Sequence, residues 1–516
     1  MSNFVSSMKK TMLTDNNYSM TENGAMGYRT TGKELLDLNF AVASLRSASP
    51  SDIAQRFTKA FFEDKVTAMK WLFFARDIRG GLGERRLFRI ILSDLAEHNP
   101  EYILPLLSLI PEYGRYDDLW CLLDTGVQSN VLKLVVDQLI QDIHNLEDGN
   151  SISLLAKWLP SVNASSMNTK RYAKLICKQM DISERDYRKS LSILRTKLNV
   201  VEKKMSAKRW SDIMYETVPS RANLIYNSAF LRNDEERRRS YLSRLEKGTA
   251  KINAATLYPH DIVHKYMSGS YNVKSIVDSA LEAMWNSLPD TVTGCGNTIV
   301  VADGSGSMSS TVGGTNVSAL NVANALAIYF AERSSGQFKD NYITFSETPK
   351  LVDLSGGKNL REKLQIALSH SEVANTNIEA VFDLILDTAI RNKMEQEDIP
   401  QNILIISDME FDSCATCGRS SDRWNHKRPT VRLFEVISKR YENAGYKLPR
   451  LVFWNVNSRT ATIPVVENDM GVALVSGFST NIVKLVMSGK TDPYECLLET
   501  LNTDRYAPIG EALKNI

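Results

Sequence analysis

The sequence predicts two fold classes in series: a long α-helical domain of repeated helix pairs, then an α/β domain with a doubly wound, largely parallel sheet. Three observations carry this reading. Apolar residues recur at helical spacing across residues 32–285, with short polar connectors and no strand-like alternation. After a Pro- and Gly-containing stretch at 289–296, short apolar runs alternate with helical segments, the pattern of strands joined by crossover helices. With 516 residues the chain is also too long for one ordinary core.

In chain order, residues 1–31 are rich in Ser, Asn and Thr and read as a polar arm. The series Leu35, Leu36, Leu38, Phe40, Ala41, Val42 and Leu45 opens the helical domain, assigned to 32–288. A second series, from Ile53 through Phe57, Phe61 and Ala68 to Trp71 and Leu72, starts at the cap-like Ser51-Asp52 after Pro50. Further helices are expected over 87–97, 102–110, 119–123, 131–146 and 187–198. Stacked pairs of this kind make an α-solenoid, although no strict period is present. The α/β domain, 297–516, has apolar runs at 298–302, 342–345, 402–407 and 451–456, with helices expected over 317–333, 360–368, 378–392 and 430–444.

Composition is that of a globular protein, 43% apolar and 24% charged. No apolar run approaches the ~20 residues of a membrane span, and the first thirty residues lack the apolar core of a signal peptide. Six cysteines over this length make no disulfide framework, so a cytoplasmic protein is expected. The net charge of +2 hides an asymmetry: residues 165–251 hold 21 Lys and Arg against 10 Asp and Glu. That excess suits a polyanion. Lys170, Arg171, Lys174 and Lys178 lie at helical spacing; Arg185, Arg188 and Lys189 continue the charge. Lys203, Lys204, Lys208 and Arg209 follow, with Trp210 placed either to stack on a base or to fill core. Arg237-Arg238-Arg239 follows Asp234-Glu235-Glu236 and reads as an internally ion-paired helix.

Asp303-Gly304-Ser305-Gly306-Ser307 ends the first strand of the α/β domain and sets one carboxylate and two hydroxyls about a point. Such hard oxygen donors suit Mg²⁺ or another divalent cation. Thr376 and Asp408 fall on the same strand-end rim, which is where ligands of such sheets bind. The expected ligands are therefore Asp303, Ser305, Ser307, Thr376 and Asp408; the alternative is a Gly/Ser turn with a capping Asp. No general base or activated nucleophile stands nearby, so binding rather than catalysis is expected, and a metal-dependent hydrolase is disfavoured. His260-Asp261-Ile262-Val263-His264 imitates a zinc helix, but Pro259 makes it a helix start with ordinary capping. Cys414, Cys417 and His426 supply three possible ligands and read as a surface loop.

The D-x-S-x-S arrangement resembles the metal-dependent adhesion site of von Willebrand factor A domains. A helical-repeat region followed by such a domain resembles the TROVE (telomerase, Ro and vault) module of Ro ribonucleoproteins. Trp71-Leu-Phe-Phe-Ala-Arg76-Asp77-Ile-Arg79-Gly80-Gly81 and Leu107-Ser-Leu-Ile-Pro-Glu-Tyr113-Gly114-Arg115 look like that module's helix-turn motifs. Both look closer still to an uncharacterised TROVE-like family of bacteria, phages, plants and fungi. Ser153-Leu-Leu-Ala-Lys157-Trp158, Leu198-Asn199 and Val218-Pro219-Ser220-Arg221 resemble its pattern too. The resemblance implies a monomeric ring of HEAT-like repeats closed by the A domain, holding small structured or misfolded non-coding RNA. Two departures stand out: Glu184 replaces an RNA-contacting His, and Ala374-Asn375-Thr376 replaces Gly-Gly-Thr. The function expected is non-enzymatic RNA binding, without membrane contact. The alternative is a metal-dependent adaptor that captures a protein partner's Asp or Glu.

Overall fold

The computed structural model describes residues 17–516, apart from 270, 293–296, 346–347, 372–376, 413–432, 469 and 484–489. Strands β1 (Ser19–Met20) and β2 (Met26–Gly27) form a small antiparallel hairpin. Six more build one mixed sheet: β3 (Thr298–Asp303), β4 (Asn341–Phe345), β5 (Lys350–Asp353), β6 (Asn402–Ser407), β7 (Arg450–Asn455) and β8 (Val472–Ser476). Their order is β5-β4-β3-β6-β7-β8, parallel throughout except for the β4–β5 pair. Strands β3, β7 and β8 are buried along their whole length, and β6 at all but its first residue, as parallel strands covered on both faces must be. Four strands match the expected apolar runs. The short polar edge strand β5 carries too little alternation to announce itself.

The chain winds outward from β3 in two directions, first to β4 and then back across to β6. The switch point therefore lies between the carboxyl ends of β3 and β6, where open α/β sheets form a crevice.

Contacts divide the chain into two compact units: Met1–Glu63 with Leu257–Leu501, and Asp64–Thr256 with Asn502–Ile516. The expected cuts at 32–288 and 297–516 run differently. In the α/β unit, the helix Glu34–Leu45 is apolar nearly all round and buried, so it needs cover on every side. It lies against β7 and β8: Ala43 N donates to Ser476 Oγ at 2.9 Å, and Asn455 Nδ2 donates to Phe40 O at 2.8 Å. Residues 17–31 are not a loose arm. Thr21 Oγ1 donates to Phe411 O, Ala25 N donates to Phe411 O at 3.3 Å, and Tyr28 pairs with Ile463.

The helical unit contains the helices Lys65–Arg76, Arg85–His98, Gln128–Glu147, Met167–Met180, Glu184–Lys197, Ser220–Asn233 and Glu235–Glu246. The helix expected over 102–110 is broken into Pro100–Ile103, the 3₁₀ segment Leu104–Leu109 and Ile110–Tyr113. Pro105 and Pro111 lack the amide hydrogens that a continuous helix requires there. The buried Asp118 carboxylate ties three elements, accepting from Arg76 Nε at 2.8 Å, Arg89 Nε at 2.7 Å and Arg115 N at 3.0 Å. Among the described residues, no helix is long and apolar enough to cross a membrane.

Candidate metal centre and nucleic-acid interface

Strand geometry brings Asp303 and Asp408 to the β3/β6 crevice. Asp303 ends β3 and Asp408 follows β6; both are 1% exposed. Their loops are cross-linked. Ser407 Oγ donates to Asp303 Oδ2 at 2.7 Å and Ser305 N donates to Asp303 Oδ1 at 2.9 Å. Ser305 Oγ lies 2.9 Å from Ser307 Oγ. Met409, in the left-handed region at φ 63°, turns the chain away, and its amide donates to Ser407 Oγ at 2.9 Å. Burial, and then the neighbouring Asp408 charge, hold Asp303 well above the usual carboxylate range. Asp408 is raised chiefly by burial, against the Arg459 charge.

Two buried carboxylates that resist ionising together, and two hydroxyls within hydrogen-bond distance of each other, are oxygen donors of the kind a divalent cation takes, though no group of three His, Cys, Asp or Glu side chains is gathered among the described residues. Asp303, Ser305, Ser307 and Asp408 are brought together as the motif predicts, while Thr376 lies outside the described residues. The sequence reading missed Arg459, whose Nη2 stands 3.2 Å from Asp408 Oδ2 and 3.0 Å from Glu22 Oε2. It also missed Glu410, a buried carboxylate that accepts from Glu22 N, Arg459 N and Thr460 N at 2.8–2.9 Å and braces the rim.

The other candidates separate. His260 is buried and packs on Tyr258 and Phe478, while Asp261 Oδ2 accepts from Tyr258 N at 3.0 Å, the capping expected of a helix start. Cys414, Cys417 and His426 lie outside the described residues.

In the helical unit the basic residues fall in four places. Lys170, Arg171, Lys174 and Lys178 share one exposed stripe of Met167–Met180. Two of them are engaged, Arg171 with Asp124 at 2.5 Å and Lys174 with Glu184 at 3.5 Å. Arg185 and Lys189 are exposed on the next helix. Lys208, left-handed at φ 56°, and Arg209, 3.6 Å from Asp212, cap the turn beyond. Trp210 packs edge-on against Phe230 beside the aromatic core.

Arg188 and Lys203 instead line a groove of about 760 Å³. Arg115, Lys157, Arg195 and Arg221 bring the lining cations to six, against a single carboxylate, Glu202. Trp158 and Tyr226 supply aromatic faces, over an apolar floor that includes Leu191, Val200 and Ile225. The Arg115 guanidinium lies 4.5 Å and the Lys157 ammonium 5.4 Å from the Trp158 ring centre. Two groove cations are anchored. Arg195 Nε and Nη2 each donate at 2.8 Å, to Ala156 O and Leu159 O, while Lys203 Nζ donates to Ser192 O at 2.7 Å. Sequence reasoning missed Arg115, Lys157, Trp158, Arg195, Arg221 and Tyr226 as groove residues.

Comparison with known proteins supplies the family. Residues 21–113 and 126–297 match "Domain of unknown function (DUF2828)", and residues 297–505 match "Domain of unknown function (DUF7788)". Over 94% of this chain and 87% of its own length, "Uncharacterized protein L728" of Acanthamoeba polyphaga mimivirus is 32% identical. The chain belongs to the DUF2828–DUF7788 family. The resemblance to TROVE-module Ro ribonucleoproteins and to von Willebrand factor A domains is thereby corrected, because neither is among the families matched. Helix-turn patterns are diffuse, and a five-residue metal motif is too short to carry a family. The ring closed by an A domain rested on that resemblance alone.

Proposed function

We propose that this DUF2828–DUF7788 protein binds RNA, with unpaired segments lying in the groove of its helical unit. One observation carries the reading: six cations converge with two aromatic rings on one concavity that holds a single carboxylate. Cations neutralise phosphates and release counterions, while aromatic faces accept unstacked bases. The exposed stripe on Met167–Met180 offers further charge for the structured part of a small non-coding RNA. We read the helices as HEAT-like stacked pairs, which expose such concave faces. Cys121 and Cys177, in no disulfide among the described residues, suit a reducing compartment, the cytoplasm.

The test is fluorescence anisotropy with a hairpin RNA bearing a single-stranded tail, titrated across a salt series. Tight binding at low salt that weakens steeply as salt rises supports the reading. Affinity no better than that of the tail-less hairpin removes the groove from it.

A second reading rests on the β3/β6 crevice. Asp303, Ser305, Ser307 and Asp408 would hold Mg²⁺ or another divalent cation, which when bound supplies a positive centre for the Asp or Glu of a protein partner. Asp303→Ala separates the two readings, since it should abolish partner capture and leave RNA affinity unchanged.

A further inference from the structure

Beside the groove lies a smaller pocket of about 240 Å³. The two share Lys157, Val200, Glu202, Pro219 and Ala222, so they form one continuous surface. The pocket is lined by Leu154, Ile213, Met214 and Val218, with Asn199 and Lys204 at its edge. Its volume falls below the roughly 300 Å³ at which pockets for drug-sized molecules begin, which suits one heterocyclic ring system rather than a whole nucleotide. Leu154 and Met214 are 54% and 63% exposed, an unusual opening of large apolar side chains beside so many cations. A simple phosphate site would have no use for them.

We infer that this pocket seats one unpaired nucleobase of the RNA whose backbone follows the groove, and that Glu202 selects guanine there. The inference rests on the RNA-binding reading above. Glu202 is the one carboxylate of the groove and would repel phosphate, so its place needs a different partner. Tyr226 OH donates to Glu202 Oε1 at 3.3 Å, steadying the side chain and leaving Oε2 and further lone pairs to accept. Guanine presents two adjacent donors, N1–H and N2–H, along its Watson–Crick edge, matching the two oxygens of a carboxylate. Uracil offers one N–H between two carbonyls, which a carboxylate repels. Adenine and cytosine pair their amino donor with a ring-nitrogen acceptor. Unpaired bases are read along this edge. Lys157 and Lys204, the latter donating to Asp212 O at 2.6 Å, line the pocket and add positive charge for the phosphates beside the inserted base.

The experiment measures anisotropy of the full chain with decauridylate and with decamers carrying one central guanosine, adenosine or cytidine. A well-placed bidentate contact makes the guanosine decamer about tenfold tighter than decauridylate. Glu202→Gln, a conservative change at an exposed position, should bring the two within about twofold while leaving decauridylate affinity equal or higher. Equal binding of all four decamers by the wild type, or a guanosine preference that survives Glu202→Gln, overturns the base pocket but leaves the groove standing. No binding of any decamer at low salt overturns both.

Discussion

Arg188 offers the sharpest handle on the groove. It is exposed, lines the concavity, and makes no hydrogen bond or ion pair among the described residues, so its removal leaves the helix Glu184–Lys197 undisturbed. Of the six groove cations, Arg195 and Lys203 are committed to backbone carbonyls, which leaves four to meet phosphates. At about 0.7 counterions released per single-strand phosphate, four contacts give a slope of log affinity on log salt of about −2.8. Raising salt from about 50 to about 200 mM should then weaken binding about fiftyfold. Arg188→Ala should flatten the slope by about 0.7 and weaken every single-stranded sequence alike, because a phosphate contact carries no base information. Anisotropy titrations of oligouridylate at four salt concentrations measure both quantities. A wild-type slope shallower than about −1.5, or a slope unchanged by Arg188→Ala, would refute the phosphate groove.

Three further outcomes are expected. Asp118→Ala strands the buried Arg76 guanidinium and should cost about 3–5 kcal/mol in chemical denaturation. Burial raises the Asp118 carboxyl, but Arg76 and Arg89 outweigh it and hold it below its ordinary 3.8, so wild-type stability from this group is present above that pH and lost below it. Asp118→Ala should lack that acid-side loss. Calorimetric titration with Mg²⁺ should show binding that Asp303→Ala removes. Because Asp303 titrates above the usual carboxylate range and must ionise to hold a cation, affinity should rise as pH climbs from acid toward neutral; a flat profile would count against this site. Gly81→Ala places a Cβ 1.9 Å from the Phe74 carbonyl oxygen, and overpacking of this kind should lower the thermal midpoint by the equivalent of about 1–3 kcal/mol.

The rim that gathers Asp303 and Asp408 was legible because its signals are local. Asp303 and Asp408 each stand immediately after a β-rich apolar run, so the strand pattern alone delivers both to one edge of the sheet. Thr376 lies outside the described residues. The groove was not legible, because Arg115 and Arg221 are far apart in sequence and meet only through helix packing. Counting charges weights the stripe at Lys170 and Lys178 equally with Arg188, yet only Arg188 reaches the concavity. The acidic–basic run was half readable. Arg237 and Arg239 pair with Asp234 and Glu235 as spacing predicts. Arg238 is instead fully buried among Tyr215, Phe230 and Tyr241, donating to Asn227 Oδ1 at 2.9 Å.

Each compact unit is stitched from two stretches of chain that are distant in sequence, and the family boundary at residue 297 cuts across that stitching. Expressed alone, the DUF7788 segment would lose the helix Glu34–Leu45 that covers β8, leaving an apolar sheet face open to water. The DUF2828 segment alone would forfeit the Arg505 guanidinium that pairs with the buried Asp77 carboxylate. The two modules are thus inseparable as folding partners, and a lineage that retained only one would have to rebuild the surface the other now shields.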